Sequence, residues 1–128
     1  MRLLLDTHAF LWWVFDDPRL STAARALIAA PDAEILFSTV SAWEIAIKAR
    51  TGRLDLPADV PGFVADQIRQ NRLQVLPIAL DHALRVHTLP DHHRDPFDRL
   101  LVAQAQVEGI PLLSRDPRIA AYGIEIRW

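Results

Sequence analysis

The segment RLLLDTHAFLWW, residues 2 to 13, decides the fold of this 128-residue chain. Three leucines, Leu3 to Leu5, lead directly to Asp6, and an apolar segment compatible with a helix follows the acid at once. This order is typical of a buried parallel strand that ends at an acid. Ligands of open α/β sheets bind in the crevice beyond the carboxyl ends of the strands. We therefore expect other acids of the chain to meet Asp6 there.

Length and composition predict one domain, residues 1–128, with its own core, because 51% of the residues are apolar. The chain has no cysteine, which excludes disulfides and cysteine-based zinc sites and favours an intracellular protein. Asp6 interrupts the first apolar run, so no leader pattern opens the chain, and no segment is long enough for a membrane span. We expect a cytoplasmic protein. The net charge of −2 leaves any nucleic-acid contact to a local basic patch.

Short apolar strands alternate with helical segments along the rest of the chain. Besides the first strand, strands are predicted at residues 34–37, 73–76, 110–113 and 124–126, and helices at 7–15, 22–30, 42–50, 63–71, 80–89 and 97–107, with a helical turn from Asp116. Residues 54–62 contain two prolines and are predicted to form a loop. The alternation predicts an α/β fold in which helices cover both faces of a parallel sheet of five short strands.

Four acids are candidates for one site. Asp6 and Asp116 each follow a predicted strand, whereas Glu44 and Asp98 each fall in the first turn of a predicted helix. Because these positions lie at the same edge of a parallel sheet, the four side chains can converge. Two carboxylates about 5 Å apart repel by on the order of 3 kcal/mol at an effective dielectric near 20, so a cluster needs raised pKa values or a cation. Oxygen ligands suit Mg²⁺ or Mn²⁺, which can activate water against a phosphodiester.

Each acid also has a purely structural interpretation. Asp6, Asp95 and Asp116 stand where helix N-caps belong, and the segment Ser41–Glu44 matches a capping box. Asp98 shares the buried stripe of its own helix, where a neighbouring arginine is the structural alternative to a metal ion.

Two further sets of polar residues accompany the acids. Thr7 and Ser114 are predicted to orient a carboxylate or a metal-bound water, with ordinary turn hydrogen bonding as the alternative. His92 and His93 suggest zinc, but no other ligands follow at zinc-site spacing, and nothing in the sequence supports an acid–base role for either.

Four motifs together resemble the PIN-domain ribonucleases, and within them the VapC-type toxins of bacterial toxin–antitoxin pairs. They are LLLDTHAFLWW with Asp6, SAWEIAIKARTGRL with Glu44, HRDPFDRLLVAQA with Asp98, and LLSRDP with Asp116. The resemblance implies a three-layer α/β/α PIN-like domain with Mg²⁺- or Mn²⁺-dependent endonuclease activity on RNA. It implies Asp6, Glu44 and Asp98 as principal acids, Asp116 as the fourth and Asp95 as a secondary metal ligand. It also implies a VapB-type antitoxin encoded alongside and a homodimer or higher assembly.

Basic residues near the acids are the expected place for RNA phosphates, although each alone is equally well a solvated surface group. The predicted RNA contacts are Lys48, Arg50, Arg94, Arg99 and Arg115, with Arg53 and Arg118 close by in the sequence.

Two other functions remain open from the sequence. An aspartyl-phosphate phosphohydrolase would also carry an acid after its first strand, but that chemistry needs a second Asp two residues later, where this chain has His8. A non-catalytic interaction module would use the acids only as caps and salt-bridge partners.

Overall fold

The computed structural model describes all residues from Met1 to Trp128, and its centre is a five-stranded parallel sheet. The strands are β1 (Arg2–Leu5), β2 (Glu34–Ser38), β3 (Gln74–Leu76), β4 (Leu112–Leu113) and β5 (Ile126–Arg127). Their order is β3-β2-β1-β4-β5, and Leu4 of β1 pairs with Leu36 on one side and Leu112 on the other. The predicted α/β fold with its five-stranded parallel sheet is confirmed.

Seven α-helices surround the sheet. They are α1 (Thr7–Val14), α2 (Thr22–Ala29), α3 (Thr39–Arg50), α4 (Val60–Gln70), α5 (Leu80–Arg85), α6 (Pro96–Glu108) and α7 (Pro117–Ala120). A turn of 3₁₀-helix, Val86–Thr88, follows α5 directly. The helix predicted at residues 80–89 is therefore α-helical only in its first part. Gly109 ends α6 in the left-handed conformation, with φ of 65°, that glycine adopts without strain.

Two helices begin earlier than the sequence predicts, and in each case the reason is the capping residue. Ser38 caps α3 by accepting a hydrogen bond from the Val40 amide at 3.0 Å, so the helix begins at Thr39 and not near residue 42. Asp59 caps α4 by accepting from the Gly62 amide at 3.1 Å, which places the start of the helix inside the predicted loop. The earlier start of α3 moves its acid, Glu44, from the first turn into the second.

The core lies in two layers, one on each face of the sheet. Leu3 and Leu5 of β1 point into a cluster with Phe10 and Phe37, whose ring centroids are 4.5 Å apart. Leu4, which lies between them, points to the opposite face and packs in a second cluster with α6. A strand that is buried on both faces reads as a continuous apolar run, which is why three leucines stand in a row. No helix of the chain has both the length and the apolar composition that crossing a membrane requires.

Candidate metal centre

The candidate site lies beyond the carboxyl ends of β1 and β4, at the centre of the sheet. The chain winds from β1 through β2 to β3 on one side and reaches β4 and β5 on the other, so the strand order reverses between β1 and β4. Asp6 follows β1, and Ser114 and Asp116 follow β4. Crevices at such reversal points are the usual ligand sites of open parallel sheets.

Asp6 is buried and caps α1, since its Oδ1 accepts a hydrogen bond from the Ala9 amide at 2.7 Å. Burial raises the pKa of Asp6, and the charge of Glu44 raises it further, while hydrogen bonds from Ser114 and Ala9 act against the shift. Asp6 is therefore both a cap and a member of the acidic cluster. The Ser114 hydroxyl also accepts from the Asp116 amide at 3.1 Å, which links the acids of β1 and β4.

Thr7 lies directly after Asp6 and bonds to the neighbouring helix α3. Its hydroxyl donates to the Ser41 hydroxyl at 2.9 Å, and both residues are buried. The bond joins α1 to α3, the two helices that carry Asp6 and Glu44, and uses the hydrogen of the Thr7 hydroxyl. The Thr7 oxygen can still accept a hydrogen bond from a metal-bound water, so its predicted role stays a prediction.

Glu44 is the acid with the clearest unmet requirement. Its side chain is almost fully buried, one oxygen forms an ion pair with Lys48, and Oε1 has no hydrogen-bond partner. The capping-box interpretation is wrong, because the helix is capped by Ser38 and Glu44 lies beyond the first turn. A buried carboxylate oxygen without a donor is energetically costly, and a cation is one of the few groups that satisfies it.

Asp98 and Asp116 meet at a histidine. The Nε2 atom of His93 lies 3.0 Å from Oδ2 of Asp98 and 3.0 Å from Oδ2 of Asp116. Nδ1 of the same ring accepts a hydrogen bond from the Asp95 amide at 3.1 Å, which places the proton of the neutral imidazole on Nε2. His93 therefore donates to Asp116, and the same nitrogen lies close to Asp98. These three side chains are also the group in the chain with the spacing of a metal site.

The pKa values of the two carboxylates beside His93 are shifted in opposite directions. Burial raises the pKa of Asp98 to about 8, with further contributions from the charges of Asp95, Glu44, Asp6 and Asp116. Burial also favours a higher pKa for Asp116, but hydrogen bonds from Arg118 and His93 outweigh it and hold that pKa below its usual range. Every predicted acid thus lies within electrostatic reach of Asp98, and without a cation the cluster keeps a proton on Asp98 near neutral pH.

Asp95 is first of all the cap of α6. Its Oδ1 accepts from the amides of Phe97 at 2.8 Å and Asp98 at 3.3 Å. It adds charge to the field at Asp98 but lies outside the group formed by His93, Asp98 and Asp116.

Arg99 is a correction to the predicted RNA contacts. Its Nη1 donates to Pro90 and His93 carbonyl oxygens and to the Tyr122 hydroxyl, and its Nη2 donates to the carbonyl oxygens of Val86 and Leu89. The two terminal nitrogens are therefore committed to Tyr122 and to the segment before α6. Arg99 holds that segment in place and has no terminal donor left for a phosphate.

The remaining basic residues divide by position. Lys48 is paired with Glu44. Arg50 lies six residues after Glu44 in α3, which is about 9 Å along the helix axis. Arg94 is exposed beside His93, while the guanidinium of Arg115 lies over the Trp12 ring, 4.5 Å from its centroid.

His93 is the residue whose place the sequence did not reveal. Its neighbour His92 packs against Tyr122, with ring centroids 5.0 Å apart, so the two histidines do not form a joint zinc site. The available signal was spacing, since His93 precedes the capping Asp95 by two residues and Asp98 by five. That spacing lets one ring accept from the amide of the capping residue and lie close to the acid of the first turn.

A family model described as the PIN domain matches residues 3–125. Because that match covers nearly the whole chain, this chain belongs to the PIN domain family.

Within this family, the relatives place the chain among the VapC-type members, as the sequence motifs predict. Ribonuclease VapC22 of Mycobacterium tuberculosis is 31% identical over 121 residues, which cover 94% of this chain and 91% of the relative. Ribonuclease VapC16 of the same organism is 39% identical over 74 residues, or 55% of this chain and 51% of the relative.

Solved structures support the fold. The chain superposes with a TM-score of 0.73 and 13% identity on VapBC2 from Rickettsia felis bound to a promoter DNA fragment, covering 99% of this chain and 98% of that one. A DNA-bound VapBC from Salmonella typhimurium gives a TM-score of 0.73 with 18% identity, covering 99% and 97% of the two chains.

Proposed function

We propose that this chain is a metal-dependent endoribonuclease that acts as the toxin of a type II toxin–antitoxin pair. The observation that carries the proposal is that Asp6, Glu44 and Asp116 lie close enough to Asp98 for their charges to raise its pKa. The four acids belong to the point where the strand order reverses. The unpaired Oε1 of Glu44 and the raised pKa of Asp98 both favour a bound cation. Carboxylate oxygens suit Mg²⁺ or Mn²⁺. The relatives named above are ribonucleases.

The residues of the chain have distinct tasks in this proposal. Asp6, Glu44, Asp98 and Asp116 would hold the ion, with Asp95 as an additional acid beside them. When bound, the ion supplies a lowered pKa for water and charge neutralisation at the phosphate. Asp98 must release its proton for this binding, because carboxylate ligands are deprotonated. His93 donates to Asp116 and so orients that carboxylate beside Asp98.

The capping bonds alone do not account for the site, which weakens the interpretation as a non-catalytic module. A cap needs one carboxylate oxygen and is normally exposed to water, whereas Asp6 and Glu44 are buried beside each other's charge. The phosphohydrolase alternative has no acid in place of His8, which is exposed on α1.

The proposal is tested with the substitution Asp6→Asn. Asparagine retains an oxygen for the Ala9 amide, so the variant is expected to fold with an undiminished melting temperature and to lose RNA cleavage in Mg²⁺ or Mn²⁺. Asp32→Asn, at an exposed turn, is the matched control and should cut RNA as the unaltered chain does. Cleavage by Asp6→Asn at the rate of the unaltered chain would refute the metal role. Turnover of p-nitrophenyl phosphate without RNA cleavage would favour the phosphohydrolase.

We further propose a VapB-type antitoxin partner, a homodimer or higher assembly, and a cytoplasmic location, where cellular RNA is available. The solved relatives described above are VapBC proteins. In this chain, Leu80 and Leu84 of α5 and Val75 of the edge strand β3 are large apolar side chains at least half exposed. Apolar surface of this kind marks protein–protein contact, which supports assembly with a partner or a second copy.

A further inference from the structure

Two clefts meet beside the acidic cluster. The first, of about 350 Å³, is bounded by Asp6 and Asp116 on the side of the metal centre and by Arg115. The second, of about 320 Å³, lies further along α1, and both clefts share His8, Trp12 and Arg19. The two clefts therefore form one path that leads away from the acids.

The first cleft holds two cations on an aromatic platform. The guanidinium carbons of Arg115 and Arg19 lie over the Trp12 ring at 4.5 and 5.0 Å from its centroid. Trp12 is itself fixed by edge contact with the Trp128 ring. Arg19 is held by the carboxylate of Asp17, while Arg115 forms no ion pair. An arginine stacked on an aromatic ring is pre-organised, so it loses little entropy when it binds a phosphate.

The second cleft has a different chemistry. Leu11, Phe15, Leu54 and Leu56 line it, and the Phe15 side chain is about half exposed. The exposed Asp55 carboxylate also borders it, which disfavours a phosphate there and offers an acceptor for an exocyclic amine. The other carboxylate of this cleft, Asp17, is already paired with Arg19, so Asp55 is the free acceptor. An apolar cleft with an exposed aromatic ring and one free acceptor suits an unstacked nucleobase.

We propose that these joined clefts bind one nucleotide of the RNA next to the phosphate held at the acids. Arg115 and Arg19 contact its phosphate, and the Phe15 cleft takes its base. The inference deepens the proposed ribonuclease function and rests on it for the identity of the ligand. It names Arg19 as a phosphate contact that sequence patterns did not indicate, because only the fold brings it to Trp12.

The test measures binding and needs no cleavage, so it gives a result even if the protein cuts no RNA. A fluorescein-labelled single-stranded decaribonucleotide is titrated with the protein in EDTA, and anisotropy gives Kd at several salt concentrations. A second decamer of abasic ribose phosphates reports the phosphate contacts alone. The variants are Arg115→Gln, Arg19→Gln and Phe15→Leu, with Arg2→Gln, at the amino end of β1 and away from the site, as the matched control.

Each arginine variant should weaken binding of both decamers about tenfold, equivalent to about 1.4 kcal/mol. It should also make the slope of log K against log salt shallower by about 0.7, the loss of one phosphate contact to a single strand. Phe15→Leu should weaken binding of the RNA decamer at least fivefold and leave binding of the abasic decamer unchanged. Arg2→Gln should behave as the unaltered chain does.

Equal affinity of all variants for RNA would overturn the subsite, and so would a Phe15→Leu effect of the same size on both decamers. Failure of the ribonuclease proposal looks different. In that case the unaltered chain would cleave no RNA in Mn²⁺, whatever the pattern of affinities among the variants.

Discussion

Asp98→Asn offers the sharpest measurement of the field inside the acidic cluster. In the metal-free protein the pKa of Asp98 is raised to about 8, from 3.8 in the unfolded chain. Between these two values the native state binds more protons than the unfolded state, so the free energy of unfolding falls as pH rises. The limiting slope is about 1.4 kcal/mol per pH unit. Asparagine keeps the shape of the side chain and removes this slope.

The expected size of the effect follows from these values. From pH 6 to 7.5 the native side chain stays largely protonated, so the unaltered chain in EDTA should lose about 2 kcal/mol of stability through Asp98. For a domain of this length that corresponds to a fall in Tm of about 8 °C. Burial also raises the pKa of Asp6, which acts on stability with the same sign. Asp17 contributes nothing in this range, because its pKa is lowered to about 2.

Differential scanning calorimetry in EDTA at pH 6.0 and 7.5 measures the difference directly. The Asp98→Asn variant should show a smaller fall in Tm than the unaltered chain, and Asp32→Asn should show the full fall. At pH 7.5, added Mn²⁺ should raise the Tm of the unaltered chain more than that of Asp98→Asn, which lacks one of the proposed ligands. Binding stabilises by RT ln(1 + [L]/Kd), about 2.7 kcal/mol at a hundredfold excess over Kd. Parallel Tm curves for the unaltered chain and Asp98→Asn would mean that the acids do not share a field.

Two further outcomes are expected. His93→Ala should lower stability in EDTA by about 1 to 3 kcal/mol in urea titrations, because the Asp116 carboxylate loses the buried His93 donor; an unchanged unfolding midpoint would show that this bond is not formed in solution. Light scattering after size exclusion should give at least twice the chain mass of 14.5 kDa, and Leu84→Asp should reduce the mass if the α5 surface carries the assembly. A monomeric mass for the unaltered chain would contradict the proposed homodimer.

The fold was largely predictable because its information is local. The leucines of β1 are a continuous run, and each later strand lies in a short apolar segment, so the strand count and the parallel direction follow from the pattern. Helix starts were less accessible, because Ser38 and Ser41 are equally good caps in the sequence. The choice of Ser38 depends on where β2 ends, and its side chain also donates to Gln104 in α6 at 2.5 Å. That partner is 66 residues away.

The acids of the site were predictable as residue types at strand ends, but their partners were not. Arg99 looks like a surface cation beside an acid, yet it binds carbonyl oxygens of a segment whose path is set by α5 and the turn after it. His93 and Arg19 reach the site through contacts with residues more than five positions away, so no local spacing fixes both of their partners. Sequence patterns locate the ligands, and tertiary packing decides which cations and donors surround them.

Capping and metal binding are compatible in this chain because they use different atoms and require the same position. Asp6 and Asp95 each accept their capping bonds at Oδ1, which leaves the second oxygen without a capping bond. A cap fixes the carboxylate at a helix start, and helix starts after parallel strands share one edge of the sheet. Capping therefore assembles the acids, and their mutual repulsion then requires a proton or a cation. Glu44 caps no helix, and no hydrogen bond satisfies its buried Oε1. A bound cation is therefore the remaining explanation for the position of this carboxylate.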